Sequence, residues 1–342
     1  MTKVEKSYLG LNDNEAKALL KRIGAEDFRF EQIHNWIYKN FVESWDEMIN
    51  MPKELREKLS LEIRLHSLEI NHITGSGNEP TQKLLFKTQN GYNLESVLMH
   101  DKDRTTVCIS SQIGCAVDCK FCATASMGFI KNLSVDEIVD QVIHLERLSK
   151  SKITNIVFMG MGEPFLNYKN VMNAAKFLNK KMGFGARRIT ISTAGIVPKI
   201  RQIAEEDYQF KLAISLNAVT EKERKKIMPL TNTYSLNDLM NSARYYYEKT
   251  NRFITFEYVL LKGINDSPED GKRLISLLKG LECKVNIIPY NEIGGDFSRP
   301  NDNTIQEFLK ELVTAPFNVT VRWSKGTDID AGCGQLAVMA IA

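Results

Sequence analysis

Cys115, Cys119 and Cys122 stand four and three positions apart in the segment IGCAVDCKFCATASMGF. Thiolates at such separations converge on one soft metal centre, and four of them would complete the shell of a zinc ion or an iron–sulfur cluster. Three leave one coordination position open, which a catalytic cluster needs and a simple electron carrier does not. The same run is also compatible with a structural zinc site that takes Cys108 as fourth ligand, or with buried cysteines acting as small apolar residues. Four of the six cysteines crowd between positions 108 and 122, which argues against a disulfide framework and for metal or redox work in a reducing compartment.

Further polar groups recur where strand-like runs end. ITNIVFMG leads into Gly162 and Glu163; a glycine lets the backbone approach a ligand closely, and a carboxylate accepts from an ammonium group. Ser192 closes RRITIST, the triplet Ser215, Leu216 and Asn217 closes FKLAISL, and Asn291 follows KVNIIPY. Taken alone, a Gly-Glu-Pro turn is a common strand terminator and such serines are often mere caps. On the same footing Glu95 reads as an exposed carboxylate in a strand, Cys283 as a buried small residue, and Cys333 as core packing or a free thiol.

Elements that would carry these residues follow from the apolar periodicity. TTVCISSQ, ITNIVFMG, RRITIST, FKLAISL, FITFEYVLL and KVNIIPY each precede a helical pattern, so the expectation is α/β with a parallel sheet and right-handed crossovers. Six units, two short of a full eightfold barrel, predict an open partial (β/α)6 barrel with its chemistry at the C-terminal strand ends. Upstream, TQKLLFKT and YNLESVLMH flank Asn90-Gly91, a hairpin turn signal. Before them, Asn12 with Glu15 forms a capping pair, Leu19, Leu20 and Ile23 supply an apolar stripe and Gly24 ends the helix. Phe30, Ile33, Ile37 and Phe41 recur at helical spacing, and Pro52 opens a third helix with Leu55 and Leu59. ITGSGNEPTQ reads as a linker or hairpin tip. The expected domains are a small all-helical unit over 1–80, a β-hairpin linker over 81–104 carrying Glu95, and the partial barrel over 105–342 with a C-terminal loop carrying Cys333.

The chain has 342 residues, 43% apolar and 25% charged, enough for one large core and a small accessory unit. Its N-terminus lacks the apolar core of a secretory signal and no window has the roughly 18 apolar residues of a membrane span, so the expected address is the cytoplasm with no membrane partner. A net charge of +3 decides nothing by itself. Basic clusters at Lys180 with Lys181, Arg187 with Arg188, and Lys222, Arg224, Lys225 and Lys226 offer either phosphate contacts or solvated faces.

With Phe121 before its last cysteine, the run resembles the CxxxCxφC pattern of the radical S-adenosylmethionine (SAM) superfamily, and MGMGEPFLN resembles its GGEP-type motif. FRFEQIHNWIY, VCISSQIGC, CATASMGFIKNLSVDEIVDQV, STAGIVP and GTDIDAGCGQL extend the match over nearly the whole chain. On these blocks the chain resembles the family of radical SAM RNA adenine-C2 methyltransferases, some of which act on both large-subunit rRNA and tRNA. The resemblance implies a 4Fe-4S cluster on Cys115, Cys119 and Cys122 within a radical SAM barrel, and an N-terminal domain that binds RNA, where Arg29 and Lys39 sit among aromatics. It implies SAM contacts at Gly162, Glu163, Ser192, Ser215, Leu216, Asn217 and Asn291.

In the mechanism so implied, Cys333 takes a methyl group from one SAM. A second SAM, cleaved at the reduced cluster, yields a 5'-deoxyadenosyl radical that removes hydrogen from that methyl, and the carbon radical adds to the adenine. Glu95 accepts the ring proton, and Cys108 attacks the sulfur of Cys333, leaving a Cys108–Cys333 disulfide. Two SAM molecules per turnover and a low-potential electron donor such as flavodoxin or ferredoxin are therefore expected, with the enzyme a monomer. Two positions depart from the family: Asn217 stands where His is usual, and Gly332, where Ala is usual, is expected to loosen the backbone beside Cys333. The rival readings are a paralogous adenine-C8 methyltransferase that confers antibiotic resistance, and a non-catalytic iron–sulfur sensor or RNA-binding protein.

Overall fold

The computed structural model describes residues 6–77 and 79–338. Residues 1–5 and 339–342 at the ends of the expected domains, and Asn78 in the expected linker, lie outside the described residues. Three helices come first: α1 (Asp13–Arg22), α2 (Arg29–Lys39) and α3 (Lys53–Glu62). Asn12 Oδ1 accepts the Asn14 and Glu15 N–H groups while Glu15 reaches back to the Asn12 N–H, so the orphan donors of the first turn are satisfied. Phe30, Ile33 and Ile37 are buried as their spacing predicts, and Pro52 sits at the N-cap of α3. The expected continuation of α2 through Phe41 does not occur. Asn40 turns the chain by bonding the Asn35 carbonyl from both its backbone and its side chain, and Phe41 adopts a left-handed φ of 53° that swings Val42 into the core.

The chain then enters a ten-stranded sheet. Its strands are β1 (Leu68–Thr74), β2 (Thr81–Thr88), β3 (Asn93–Asp101), β4 (Arg104–Cys108), β7 (Asn155–Phe158), β8 (Ile189–Thr193), β9 (Lys211–Ser215), β10 (Ile254–Leu260), β11 (Cys283–Pro289) and β12 (Asn318–Val321), adjacent in that order. A separate two-stranded ribbon pairs β5 (Gln112–Gly114) with β6 (Phe129–Asn132) and brackets the cysteine loop. The strands β1 to β4 are antiparallel, and every pairing from β4 onward is parallel. The six runs predicted as barrel strands are β4, β7, β8, β9, β10 and β11, adjacent and parallel in consecutive order, as the expectation of an open partial barrel requires. Asn90-Gly91 makes the β2–β3 turn, with Gly91 at φ 80°.

Two strands lie outside the sequence-based expectation. β12 adds a seventh parallel strand, and β1 falls inside the stretch assigned to the helical unit and pairs antiparallel with β2. LEINHIT is only half-buried along its length, so it lacks the clean alternation that marks a strand. Crossovers run through α4 (Ala123–Ser126), α5 (Val135–Leu148), α6 (Tyr168–Lys180), α7 (Val197–Glu205), α8 (Glu221–Ile227), α9 (Leu236–Thr250), α10 (Pro268–Leu278) and α11 (Asp302–Glu311). Capping boxes at Ser134, Ser235 and Ser267 fix where α5, α9 and α10 begin. Among the described residues no helix is long and apolar enough to cross a membrane.

Candidate active site

The cysteine loop leaves β5 at Gly114, whose φ is 70° and where a Cβ would lie 1.7 Å from the Gly128 carbonyl oxygen, so only glycine permits this exit. Cys115 N–H then donates to Gly128 and Cys122 N–H to Cys119, folding the loop so that all three cysteines line one cavity. Burial pushes the Cys115 thiol up to about 12 and raises Cys119 and Cys122 as well, with the neighbouring cysteine charges adding to the rise at Cys119. Thiols raised in this way give up their protons on binding a metal. Among the described residues, three ligand atoms within 4.8 Å of one another, the gathering a single ion requires, occur at His66, Asp140 and His144 and not at these sulfurs. Sulfurs spread along a cavity wall suit a cluster several ångströms across better than a zinc ion.

The same cavity is lined by Gly162, Glu163, Ser192, Ser215, Asn217, Asn291 and Cys333. Gly162 has φ 93° and a Cβ there would meet Gln112 Cβ at 2.4 Å, so the turn after β7 also requires glycine. Glu163 is buried; its carboxylate accepts from Phe165 N–H at 2.9 Å and Ala194 N–H at 2.7 Å, stitching the β7 and β8 ends together. Burial pushes this carboxyl up to about 7 against the pull of those two N–H donors. Leu216 does not line this cavity: its side chain is fully buried in the core, its N–H donates to the Glu257 carbonyl and its own carbonyl accepts from Arg224. Asn217 takes a left-handed φ of 58°, which an Asn tolerates, and its Oδ1 accepts from Val259 N–H at 2.9 Å.

The loop bearing Cys333 folds back on the cysteine loop. Ala123 N–H donates to the Gly334 carbonyl at 2.7 Å and Thr124 Oγ1 to the Leu336 carbonyl at 2.5 Å. Asn291 Nδ2 donates to Ser324 Oγ and to the Cys333 carbonyl, so this end of β11 holds the loop as well as the cavity wall. Gly332 does not loosen its surroundings as expected. A Cβ there would lie 2.5 Å from Gln335 Oε1 and 2.9 Å from Asn291 Nδ2, so the absent methyl lets both amides close over the backbone, and Gly332 N–H bonds Gln335 Oε1 at 3.0 Å.

Cys333 also lines a second opening, at the other end of the sheet, together with Cys108, Glu257 and Arg322. Burial pushes Cys108 up to about 12 and raises Cys333, which the nearby Arg322 cation opposes. Glu95, on β3, is buried instead of exposed. Lys83 Nζ lies 3.1 Å from its Oε1, its Oε2 has no partner, and burial raises its carboxyl above the usual range despite Lys83. Cys283 is buried at the start of β11, as expected of a packing residue.

Arg224 corrects an expectation. It is 1% exposed and donates to the carbonyls of Leu216, Ala194 and Ser215 and to Thr231 Oγ1, so it braces strand ends and is no phosphate contact. Lys222, Lys225, Lys226, Lys180, Lys181, Arg187 and Arg188 are exposed, with Lys225 paired to Glu221. Arg29 stacks on exposed Phe28, and Lys39 is exposed. Arg322 and Glu257 were not singled out from the sequence: a lone Arg and a lone Glu within strand runs carry no spacing signal.

Residues 109–275 match the model of the radical SAM superfamily, and residues 7–65 match that of the ribosomal RNA large subunit methyltransferase N-terminal domain. A protein of Thermosipho melanesiensis described as a probable dual-specificity RNA methyltransferase RlmN is 43% identical over 333 residues, covering 97% of this chain and 98% of its own. A protein of the same description from Clostridium botulinum is 44% identical over 334 residues, covering 97% and 96%. The crystal structure of a radical SAM methyltransferase from Sphaerobacter thermophilus is similar with a TM-score of 0.91 at 41% identity, covering 97% of this chain and 99% of that one.

Proposed function

The chain belongs to the family of RlmN dual-specificity RNA methyltransferases, and from there we propose that it methylates C2 of an adenosine in large-subunit rRNA and of the adenosine beside the anticodon in tRNA, with Cys333 as methyl carrier. Radical SAM family membership implies a 4Fe-4S cluster and SAM. The observation that carries the reading is the place of Cys333, which lines both the cavity of the three cluster cysteines and the opening that holds Cys108.

C2 of adenine is electron-poor and cannot attack a sulfonium methyl. When bound, a 4Fe-4S cluster together with SAM would supply radical chemistry, which circumvents that limit. Cys115, Cys119 and Cys122 would hold the cluster, while Gly162, Glu163, Ser192, Ser215, Asn217 and Asn291, with Leu216 between two of them in the chain, would shape the SAM cradle. Arg322, half-buried near Cys333, opposes the rise that burial imposes on this thiol and so favours the thiolate, the form that accepts a methyl group. Glu95 receives the ring proton on its unpartnered Oε2. Cys108 Sγ, as thiolate, then attacks Cys333 Sγ; the departing carbon keeps the electron pair of the broken carbon–sulfur bond and takes a proton to become the product methyl, and two external electrons with two protons reopen the disulfide so formed.

Two SAM molecules per turnover, a flavodoxin- or ferredoxin-like donor, a cytoplasmic setting and a monomeric enzyme accompany this reading. In it, residues 1–80 bind RNA, 81–104 carry Glu95, and 105–342 form the catalytic unit. The test is anaerobic cluster reconstitution followed by incubation with SAM, reductant and rRNA or tRNA, with mass spectrometry of the digested RNA. 2-Methyladenosine is the expected product; an adenine-C8 mark, or RNA binding without 5'-deoxyadenosine, overturns the reading.

A further inference from the structure

α5 carries Asp140 and His144 one turn apart on the face that meets His66, Ser67 and Leu68, where the helical unit hands over to β1. The Asp140 side chain is fully buried, that of His144 is 4% exposed and that of His66 9%. Asp140 Oδ2 accepts the Ser67 and Leu68 N–H groups, both at 2.8 Å, which fixes the carboxylate plane. Its Oδ1 is left facing two imidazoles, 2.6 Å from His66 Nδ1 and 3.6 Å from His144 Nε2.

His66 uses its outer nitrogen elsewhere, Nε2 donating to the Val42 carbonyl at 2.9 Å. His144 Nε2 is buried with no hydrogen-bond partner. A neutral imidazole carries one proton, so with its outer N–H committed His66 presents a lone pair at Nδ1, and His144 presents one at Nε2 when its proton sits on Nδ1. Two lone pairs and a carboxylate oxygen therefore converge, all within 4.8 Å of one another. Such a set requires a cation at its centre. A proton on His66 Nδ1, 2.6 Å from Asp140 Oδ1, meets part of that need and leaves His144 Nε2 bare.

We propose that His66, Asp140 and His144 form a binding site for a divalent transition-metal ion of the zinc type, which pins the N-terminal helical unit to the barrel. Two imidazoles and one carboxylate are ordinary zinc donors, and an outer ring N–H held by a backbone carbonyl is how ligating histidines are oriented. Zinc bonds of about 2.0–2.2 Å set tetrahedral ligand atoms roughly 3.3 Å apart. The 3.6 Å between His144 and Asp140 already suits that geometry. The 2.6 Å between His66 and Asp140 opens by roughly 0.7 Å as the ion replaces the proton. Water completes the shell from the partly exposed His66 edge. The ion would join α5 to the segment before β1 and, through His66 and Val42, to the turn after α2.

The cluster cysteines also bind zinc, so the test uses anaerobically reconstituted, cluster-loaded protein equilibrated with zinc and dialysed. Metal analysis is compared for wild type, His66→Gln and His144→Gln, with zinc-edge X-ray absorption on wild type. Retention of the cluster's visible absorption shows that the variants fold. The expected result is stoichiometric zinc in wild type with nitrogen and oxygen neighbours only, its loss in both variants, and a zinc-dependent rise in Tm of about 4 °C in wild type alone at a hundredfold excess over Kd. Absence of retained zinc in wild type, sulfur in its shell, or equal zinc in the variants overturns the proposal. None of these readouts depends on methylation.

Discussion

Asn291 Nδ2 lies 3.0 Å from the carbonyl oxygen of Cys333, tying the C-terminal end of β11 to the loop that carries the proposed methyl acceptor. Ser324 Oγ accepts from the same nitrogen at 2.8 Å, so one amide spans two points of the C-terminal segment. Asn291→Ala removes both bonds without touching the cluster loop. Methylation should fall by about tenfold or more, the cost of misplacing one reacting atom, while the visible absorption of the reconstituted cluster stays unchanged. Unaltered turnover would show that the loop is held by other contacts.

Cys333→Ala and Cys108→Ala should fail differently. Cys333→Ala lacks the methyl carrier and should release methylated adenosine at no detectable rate. Cys108→Ala should still join the carrier to RNA yet be unable to let go, so a protein–RNA adduct accumulates, visible as a slow band on a denaturing gel. An adduct in both, or in neither, contradicts the assigned roles.

Arg224 and its lysine neighbours should separate cleanly. Arg224→Met strips partners from three backbone carbonyls and a threonine hydroxyl, and should cost about 3 kcal/mol of stability in urea unfolding. Replacing Lys222 and Lys226 by Ala should leave stability nearly unchanged. If that face meets RNA, the double variant binds it more weakly and with a shallower salt dependence.

Glu257 offers a pH test. Its Oε1 accepts from Asn286 Nδ2 at 2.9 Å, its Oε2 is buried without a partner, and burial raises its carboxyl although Arg322 and Asn286 pull it down. A carboxyl raised on folding adds stability below its unfolded value near 4.5 and loses that contribution as pH climbs through the folded value. Wild type should therefore lose stability relative to Glu257→Gln as pH rises from about 4.5 toward neutrality. Parallel stability curves for the two proteins would refute the assignment.

Much of the fold was legible in the chain itself, because its signals are local. The capping box at Asn12, the Asn90-Gly91 turn and the six apolar runs each depend on residues a few positions apart, and each stands in the structure as an element or its boundary. The cysteine spacing is equally local, and it put Cys115, Cys119 and Cys122 on one cavity wall. β1 escaped notice because a half-exposed edge strand does not alternate cleanly, and the end of α2 because the side chain of Asn40 outweighed the helical spacing of Phe41.

Charge and thiol roles belong to another level. Sequence placed Arg224 in a basic run, and only packing turned it inward, where three strand-end carbonyls required a donor. Glu95 and Lys83, Arg322 and Cys333, and His66 with Asp140 and His144 meet across β-strand pairings and helix crossovers that bring distant segments together. The chain states which groups are available through short-range pattern and turn chemistry. Which of them lose their water, and which cation or thiol then faces each, is fixed when the sheet and its helices close over them, because desolvation and Coulomb attraction act on distance in space and not on separation along the chain.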